Sequence, residues 1–288
     1  MTWLDPYSWP AWAPLALILF SAVVHAAVNA FQKRSTDPLM FRCLIGVGQI
    51  LTLIWAVFLV PLPDAPMMMW LAMSVAVHLL YQLFLSRAYV LADMSAVYPV
   101  ARGLSPLLAG IGAFVFYGES LGPGQIAGLI LIAFGLMSFA SEKIVDAAHK
   151  EGLIFAALTG ICIASYTVID AGGMRAAHNP WSYIVWFFLL ENAPLSTWFL
   201  IFRRARYIAA WKLDWRAGLT SGFASVLSYG AAMLALMLAG TAEIAALRET
   251  SVLFGAVIGV FVLKEAFGLR RILAAAVVVC GVIALKVL

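Results

Sequence analysis

Charged residues are scarce in this chain. Only 11% of its 288 residues are Asp, Glu, Lys or Arg, while 64% are apolar or aromatic, and the mean hydropathy is +0.99. A soluble domain carries about 25% charged residues, and so few charges cannot cover a water-soluble protein of this length. The composition excludes a soluble enzyme, a disordered chain and a nucleic-acid-binding protein, despite the net charge of +4. It predicts a polytopic α-helical membrane protein, because a transmembrane barrel keeps a modest mean hydropathy.

Cysteine and the common catalytic motifs are also sparse. Cys43, Cys162 and Cys280 all lie in apolar runs without a Cys-x-x-Cys pair, so we expect neither a disulfide framework nor a metal site. The sequence has no Walker loop, no His-Glu-x-x-His and no Gly-x-Ser-x-Gly. We therefore expect no enzymatic activity and no cofactor. Residues 1–10 lack a positively charged start, and no cleavable signal peptide is expected.

Ten apolar stretches are long enough to cross a membrane as helices. A span needs about 18 or more predominantly apolar residues, and turn-forming or basic segments separate most of the stretches. The predicted spans are 11–32, 38–60, 66–91, 94–117, 123–141, 152–170, 181–202, 215–239, 242–263 and 269–287.

Lysine and arginine are sorted to one side of this topology. Of the 18 basic residues, 14 fall in or beside the loops that follow odd-numbered spans. Arg175 and Lys286 lie on the other side, and Arg102 and Arg248 lie within spans. Because cytoplasmic loops are rich in Lys and Arg, we expect the odd-numbered loops to be cytoplasmic. Both termini then face away from the cytoplasm, and the expected location is the bacterial inner (plasma) membrane.

The sequence also contains an internal repeat. A shift of 146 residues aligns segment 88–139 with segment 234–285 without a gap. The paired arginines and glutamates carry the alignment, because both residue types are rare in this chain. The identical pairs are Ala96/Ala242, Arg102/Arg248, Ser105/Ser251, Leu107/Leu253, Glu119/Glu265, Gly122/Gly268, Ile126/Ile272 and Gly135/Gly281.

The repeat predicts the fold class. We expect an all-α membrane protein of ten transmembrane helices in two five-helix repeats, residues 1–146 and residues 147–288. An odd number of spans in each repeat inverts the second copy in the membrane. Inverted repeats are typical of alternating-access transporters, because the two halves can exchange conformations.

The motifs around the paired arginines resemble a known family. They are Tyr98–Pro106 followed by Gly118-Glu119, and Ala246–Ser251 followed by Lys264-Glu265. These features resemble the EamA-type branch of the drug/metabolite transporter superfamily, and the likeness covers nearly the whole chain. The run His25-Ala26-Ala27-Val28-Asn29 with Lys33 resembles the opening helix of one bacterial subgroup.

The resemblance implies a fold and a function. The family fold has a central cavity lined by spans 1, 3, 4, 6, 8 and 9, with spans 5 and 10 at the periphery. Similar members export amino acids and other metabolites, and some related proteins flip lipid-linked sugars.

Two arginines lie deep in the predicted membrane core. Arg102 is about eight residues into span 4 and Arg248 about six residues into span 9, so both approach the midplane. An arginine at that depth must face a cavity or a partner. In one interpretation the two side chains bind the carboxylate or phosphate of a substrate bidentately. In the other, each is neutralised by an acid such as Glu249, Glu243 or Asp170 and fixes helix packing.

Acids within the spans are candidates for proton coupling, because an intramembrane carboxyl group can bind and release a proton. Asp170, Glu243 and Glu249 form this set, and a structural role is equally open for each. Glu191 lies beside Asn192, where a broken helix would need polar capping. Glu119 and Glu265 end their spans at the interface, where we expect them to cap loops.

Further polar residues share helix faces and would line a cavity. His25, Asn29 and Lys33 recur every four residues on span 1; His25 either binds substrate or relays a proton, or is hydrogen-bonded between helices. The aromatic residues of span 7, among them Tyr183, Phe187 and Phe188, are expected to face lipid. The complete predicted substrate-binding set is Arg102, Arg248, His25, Asn29, His78, Tyr81, Gln82, Tyr98, Tyr166, Ser228 and Tyr229.

Small residues spaced four apart permit close helix approach. The pairs Gly124/Gly128, Gly218/Gly222 and Gly255/Gly259 have this spacing. Internal packing and a homodimer through span 5 are both open for Gly124/Gly128.

Together these features predict a secondary active transporter. We expect it to export a small polar metabolite, such as an amino acid or another solute with a carboxylate or phosphate, by alternating access through a central cavity. The alternative is a flippase for a lipid-linked or amphipathic head group. The expected partners are the small-molecule substrate, membrane lipid and protons as coupling ion, with no nucleic acid, and the chain acts as a monomer or homodimer.

Overall fold

The computed structural model describes residues 5–35, 37–139, 147–261 and 269–287, and the regular elements within them are helices. Two short 3-10 helices, Pro6–Ser8 and Ile54–Phe58, accompany the α-helices. The α-helices are α1 (Ala13–Arg34), α2 (Pro38–Leu53), α3 (Ala65–Leu91), α4 (Met94–Tyr117), α5 (Pro123–Ser138), α6 (Ala147–Ala176), α7 (Pro180–Glu191), α8 (Ala193–Phe202), α9 (Arg204–Leu238), α10 (Thr241–Arg248), α11 (Ser251–Phe261) and α12 (Leu269–Val287).

Local sequence signals explain several helix ends. The side chain of Asp37 accepts a hydrogen bond from the backbone N–H of Met40 at the start of α2, and Asn179 does the same for the start of α7. Both helices have proline in the first turn, where a missing N–H costs nothing. Helix α4 ends at Gly118, whose φ of +67° is the left-handed conformation that glycine adopts without strain.

Each of the ten predicted spans falls on helix in the described residues. Seven helical segments there are long and apolar enough to cross a membrane. Pro123–Ser138 and Ile272–Val287 are shorter apolar helices. Span 181–202 divides into α7 and α8, and span 242–263 divides into α10 and α11. The all-helical membrane fold is therefore confirmed, whereas the ten-helix inverted repeat stays a prediction.

The chain forms two compact units. The first unit comprises residues 1–79 and 170–238, and the second comprises residues 80–169 and 239–288. Each unit draws on both halves of the sequence. The repeats predicted over residues 1–146 and 147–288 are defined by sequence alone, and they stay a prediction.

In the first unit, α9 packs against both α1 and α2. Glycines bring α2 and α9 close together: a Cβ atom on Gly222 would lie 2.5 Å from the carbonyl oxygen of Ile45 and 2.6 Å from the Cα of Gly48. A core of Met40, Leu44 and further apolar residues from α8 and α9 fills the adjacent space. The helices of this unit therefore approach to backbone contact, as the spacing Gly218/Gly222 predicts.

In the second unit, α5 packs along α12. A Cβ on Gly128 would lie 2.7 Å from the carbonyl oxygen of Gly281 and 2.7 Å from the backbone nitrogen of Leu285. Gly135 contacts Val278 and Ala274 in the same way. The glycine face of span 5 is thus used for packing within the chain.

Replacing Gly128 by alanine should destabilise the α5–α12 pair. The added methyl would meet backbone atoms, which cannot rotate away, and overpacking of this kind costs about 1–3 kcal/mol. Gly255 is the matched control, because nothing lies within 4 Å of a Cβ built there. We expect Gly255→Ala to leave the free energy of unfolding unchanged or to raise it by up to about 1 kcal/mol. Chemical denaturation in detergent measures both, and equal losses would contradict the close packing.

Candidate functional site

A break in a helix lies at the centre of the candidate site. Helix α10 ends at Arg248 and α11 begins at Ser251, so Glu249 and Thr250 form a turn inside predicted span 9. The Thr250 side chain helps to close the end of α10, because its hydroxyl donates to the carbonyl oxygen of Leu247 at 2.7 Å. Discontinuous membrane helices place half-helix ends where transporters bind substrates and ions.

An ion pair joins this break to α4. The Nη1 of Arg102 lies 3.2 Å from the Oε1 of Glu249, and the two side chains are only 6% and 2% exposed. Ser105 donates to the carbonyl oxygen of Arg102 at 3.1 Å and contacts the same Glu249 oxygen at 3.5 Å. A buried pair with an additional hydroxyl is the geometry that keeps intramembrane charges tolerable.

Both arginines line one small pocket of the second unit. With Arg102 and Arg248 the lining holds two positive charges, and Glu249 supplies one negative charge. The pocket has room for about one water molecule, so any larger ligand must displace side chains. Its full lining is Arg102, Ser105, Ile163, Thr167, Ala245, Arg248 and Glu249.

One oxygen of Glu249 stands out in this pocket. Its Oε1 contacts Arg102 and Ser105, but its Oε2 is buried and has no hydrogen-bond partner in the described part of the chain. A buried polar atom without a partner is costly and rare. The Oε2 atom is therefore available to a proton or to a hydrogen-bond donor on a ligand.

Three predicted tyrosines surround Arg102. The guanidinium carbon lies 5.4 Å from the ring centroid of Tyr98, a cation–π contact. The rings of Tyr81 and Tyr166 meet edge to face at 5.8 Å, and both interact electrostatically with Arg102. The sequence singled out the charged and aromatic residues that lie together here, and their role in binding stays a prediction, while Ser105, Thr167 and the helix break were missed. Only the repeat pair Ser105/Ser251 hinted at a role for the serine.

A second polar cluster lies in the first unit, around Asp170. This carboxylate accepts hydrogen bonds from Ser74 at 2.6 Å, Tyr183 at 3.0 Å and Tyr229 at 2.5 Å. Asp170 was named as a possible partner of the intramembrane arginines, but Arg102 pairs with Glu249 instead. Tyr183 was expected to face lipid, and that expectation is wrong, because its side chain is fully buried.

The expectation that Phe187 and Phe188 face lipid is also wrong. Phe187 and Phe188 are 1% exposed and pack against each other at 5.2 Å, so they do not face lipid. Trp198 is 46% exposed, as expected for a residue at the lipid boundary.

The remaining predicted residues are dispersed. Ser228 donates to the backbone of Ser21 at 2.8 Å, which ties α9 to α1. His25 and Asn29 are half-buried on α1, and Gln82 is buried on α3. Glu243 pairs with Lys286 at a partly exposed position, and its role in proton coupling stays a prediction. Among the described residues, no cluster of three or more His, Cys, Asp or Glu could hold a metal ion.

Glu119 has a defined partner. Its two carboxylate oxygens accept hydrogen bonds from the backbone N–H and the hydroxyl of Thr241, both at 2.7 Å. Glu119 therefore caps the first turn of α10 from the loop after α4, where a negative charge also complements the helix dipole. Glu265, its predicted counterpart, lies outside the described residues.

Glu191 stabilises the other helix break. It accepts a hydrogen bond from Arg42 on α2 at 3.2 Å and another from the side chain of Asn192. Asn192 in turn donates to Gln49 at 2.5 Å, and Gln49 donates to Ser225 on α9 at 3.0 Å. A buried polar network therefore surrounds the break, but no side chain caps the start of α8, so the polar capping expected at this position is absent.

Comparison with known proteins gives a family match for the second half of the chain. The profile of the EamA-like transporter family matches residues 150–286. One solved crystal structure superposes with a TM-score of 0.74 at 18% sequence identity, over 96% of this chain and 98% of that chain. At this identity the likeness concerns the fold alone. No curated protein matches the sequence.

Proposed function

We propose that this chain is a membrane transporter that moves a small polar solute with a carboxylate or phosphate group by secondary active transport, because the profile of the EamA-like transporter family matches residues 150–286. One observation carries the proposal: the buried pocket at the α10–α11 break, in which two arginines and one glutamate meet. Export is the direction that we propose, in line with the resemblance.

The charge of the pocket favours an anionic group on the solute. Arg102 and Arg248 together outweigh Glu249 by one positive charge among the lining side chains. Guanidinium groups bind carboxylates and phosphates through paired, charge-assisted hydrogen bonds. A solute carboxylate that enters the pocket would take the place of Glu249 on Arg102.

The free oxygen of Glu249 favours an amino group on the same solute. Glu249 lines the pocket, and its Oε2 is buried and has no hydrogen-bond partner among the described residues. An ammonium group can donate to that oxygen while the carboxylate binds the arginines. An α-amino acid carries both groups on adjacent atoms, and it is therefore the substrate class that we propose.

Displacement of Glu249 also links the solute to a proton. While it is paired, the carboxylate is compensated by Arg102 at 3.2 Å. Once Glu249 has left Arg102, either the ammonium group of the solute or a proton must compensate its charge in the membrane interior, so the solute and the proton compete for the same carboxylate. We propose Glu249 as the coupling acid on this ground.

Contacts between α5 and α12 support an inverted repeat and alternating access. Gly135 packs on Ala274 and Val278, whereas Gly281 packs on Gly128 and Ile132. In the repeat alignment, which shifts residue numbers by 146, positions 128, 132 and 135 correspond to positions 274, 278 and 281. The two sets of contacts are therefore interchanged by the repeat alignment, as a two-fold relation between the repeats requires.

A thermal-shift screen tests the proposed substrate class. The purified full chain would be melted with amino acids, phosphorylated metabolites or lipid head groups, because a ligand that binds the folded state raises the melting temperature. We expect amino acids to stabilise the wild type and the variant Glu243→Gln, which alters an acid of α10 outside the pocket. We expect no such stabilisation of Glu249→Gln. Stabilisation by lipid head groups alone would overturn the proposal in favour of a flippase.

A further inference from the structure

The Asp170 cluster joins four helices of the first unit through buried polar side chains. Helix α3 supplies Ser74 and His78, α6 supplies Asp170, α7 supplies Tyr183 and α9 supplies Tyr229. Their exposed fractions range from 0% to 7%. The arginine pocket contains none of these residues, so the cluster needs an explanation of its own.

Both carboxylate oxygens of Asp170 accept hydrogen bonds from hydroxyl groups. Oδ1 accepts from Ser74 and Tyr183, and Oδ2 accepts from Tyr229. A hydroxyl differs from an arginine or lysine as a partner, because it can accept a hydrogen bond while it donates one. The Ser74 hydroxyl can therefore pass a proton on as well as hold the carboxylate in place.

His78 supplies the donor at the other side of Ser74. Its Nδ1 lies 3.0 Å from the carbonyl oxygen of Ser74, and because a carbonyl only accepts, a hydrogen bond at this contact requires the tautomer with hydrogen on Nδ1. The same nitrogen lies 3.3 Å from the Ser74 hydroxyl oxygen, whose own hydrogen points to Asp170. A chain of hydrogen bonds therefore runs from Nδ1–H of His78 through Oγ–H of Ser74 to the carboxylate of Asp170.

Aromatic rings pack against the His78 imidazole and fix its position in this chain of hydrogen bonds. Phe187 meets the His78 ring edge to face at 5.0 Å, and Tyr229 does so at 5.7 Å. Phe188 lies behind both, 6.3 Å from the Tyr229 ring. These contacts restrict rotation of the imidazole and keep an apolar wall around it.

We propose that His78, Ser74 and Asp170 form a proton-transfer site in which the serine hydroxyl carries a proton between the imidazole and the carboxylate. When imidazolium His78 releases its Nδ1 proton to the Ser74 oxygen, Ser74 releases its own proton to Oδ1 of Asp170. One N–H bond and one O–H bond break, and two O–H bonds form. The products are neutral imidazole, an unchanged serine and a carboxylic acid, and the reverse transfer restores the starting state.

Two further ionisable groups contact Asp170 from the packed helices. Tyr183 of α7 and Tyr229 of α9 donate to the carboxylate itself. Arg175 lies further along α6 and donates to the carbonyl oxygen of Leu236 on α9, from Nε at 3.2 Å and from Nη2 at 3.0 Å. The tyrosines therefore position Asp170, while Arg175 ties α6 to the end of α9.

Infrared difference spectroscopy against pH tests the site in the purified full chain, with histidine isotope-labelled and no substrate added. In the wild type the protonated carboxyl band and the imidazole band should both change in the same two macroscopic steps, because interacting groups titrate as a pair and not singly. Asp170→Asn should remove the carboxyl band, and Glu243→Gln should leave it unchanged.

Substitution of Ser74 distinguishes proton transfer through its hydroxyl from mere proximity of His78 and Asp170. After a pH jump, Ser74→Ala should slow proton exchange between the imidazole and carboxyl bands by about 100-fold, whereas Ser74→Thr, which keeps the hydroxyl, should exchange at close to the wild-type rate. Wild-type exchange kinetics in Ser74→Ala, or carboxyl bands that Asp170→Asn leaves unchanged, would overturn the proposal. Since no substrate is involved, this outcome is independent of whether the arginine pocket binds amino acids.

Discussion

Replacing Arg102 by alanine should lower transport in proteoliposomes by roughly 10- to 100-fold or more. Hydrogen bonds to charged groups contribute about 1.5–3 kcal/mol each, and the guanidinium would make at least one to the solute. The change also leaves Glu249, which is 2% exposed, without its cationic partner. Arg248→Ala should have a loss of similar size, because Arg248 lines the same pocket.

Two further variants separate binding from folding. Arg102→Lys keeps the positive charge but loses the planar fork that binds a carboxylate at two points, so we expect intermediate transport. Glu243→Gln changes an acid of the same helix that pairs with Lys286 away from the pocket, and its transport should match the wild type. Wild-type transport by both alanine variants, with monodisperse protein on size exclusion, would contradict substrate binding by the arginines.

The second large effect concerns stability. Arg42→Ala should lower the free energy of unfolding by about 3–5 kcal/mol, because it leaves the buried carboxylate of Glu191 without its cation. The double variant Arg42→Met with Glu191→Leu should lose less, since apolar residues of similar volume avoid the desolvation cost of an ion pair. Denaturation in detergent gives both values and their coupling energy.

A surface ion pair provides the control for this effect. Arg206 lies 2.6 Å from Asp37, and its side chain is 54% exposed. Exposed pairs of this kind contribute about 0–1 kcal/mol, so Arg206→Ala should be nearly neutral. If Arg42→Ala and Arg206→Ala cost the same, the Glu191 network does not stabilise the α7–α8 break.

Hydropathy and turn signals predicted the helices well. Predicted spans 94–117 and 269–287 coincide with α4 and α12, because Asp93 and Gly118 bound the first span and Gly268 precedes the second. The break between Arg248 and Ser251 was missed, although the polar run Arg-Glu-Thr-Ser interrupts an apolar span there. Neither glycine nor proline marks this break, and the buried partners of the turn lie far away in the chain.

The faces of the helices were harder to predict than their ends. Lipid and protein interior are equally apolar, so composition alone could not show that Tyr183 and Phe187 are buried. For the site, the rarity of charge singled out Arg102, Arg248 and Glu249. It could not show that Ser74 and Tyr183 meet at Asp170, because such contacts depend on tertiary packing between distant segments.

A crystal structure with bound amino acid, using the one that gives the largest thermal shift, would test the central claim most directly. The account predicts that the ligand carboxylate contacts Arg102 and Arg248. The distance between Arg102 Nη1 and Glu249 Oε1 should then increase from 3.2 Å to beyond hydrogen-bonding range. A ligand bound elsewhere, with the Arg102–Glu249 pair intact, would contradict it.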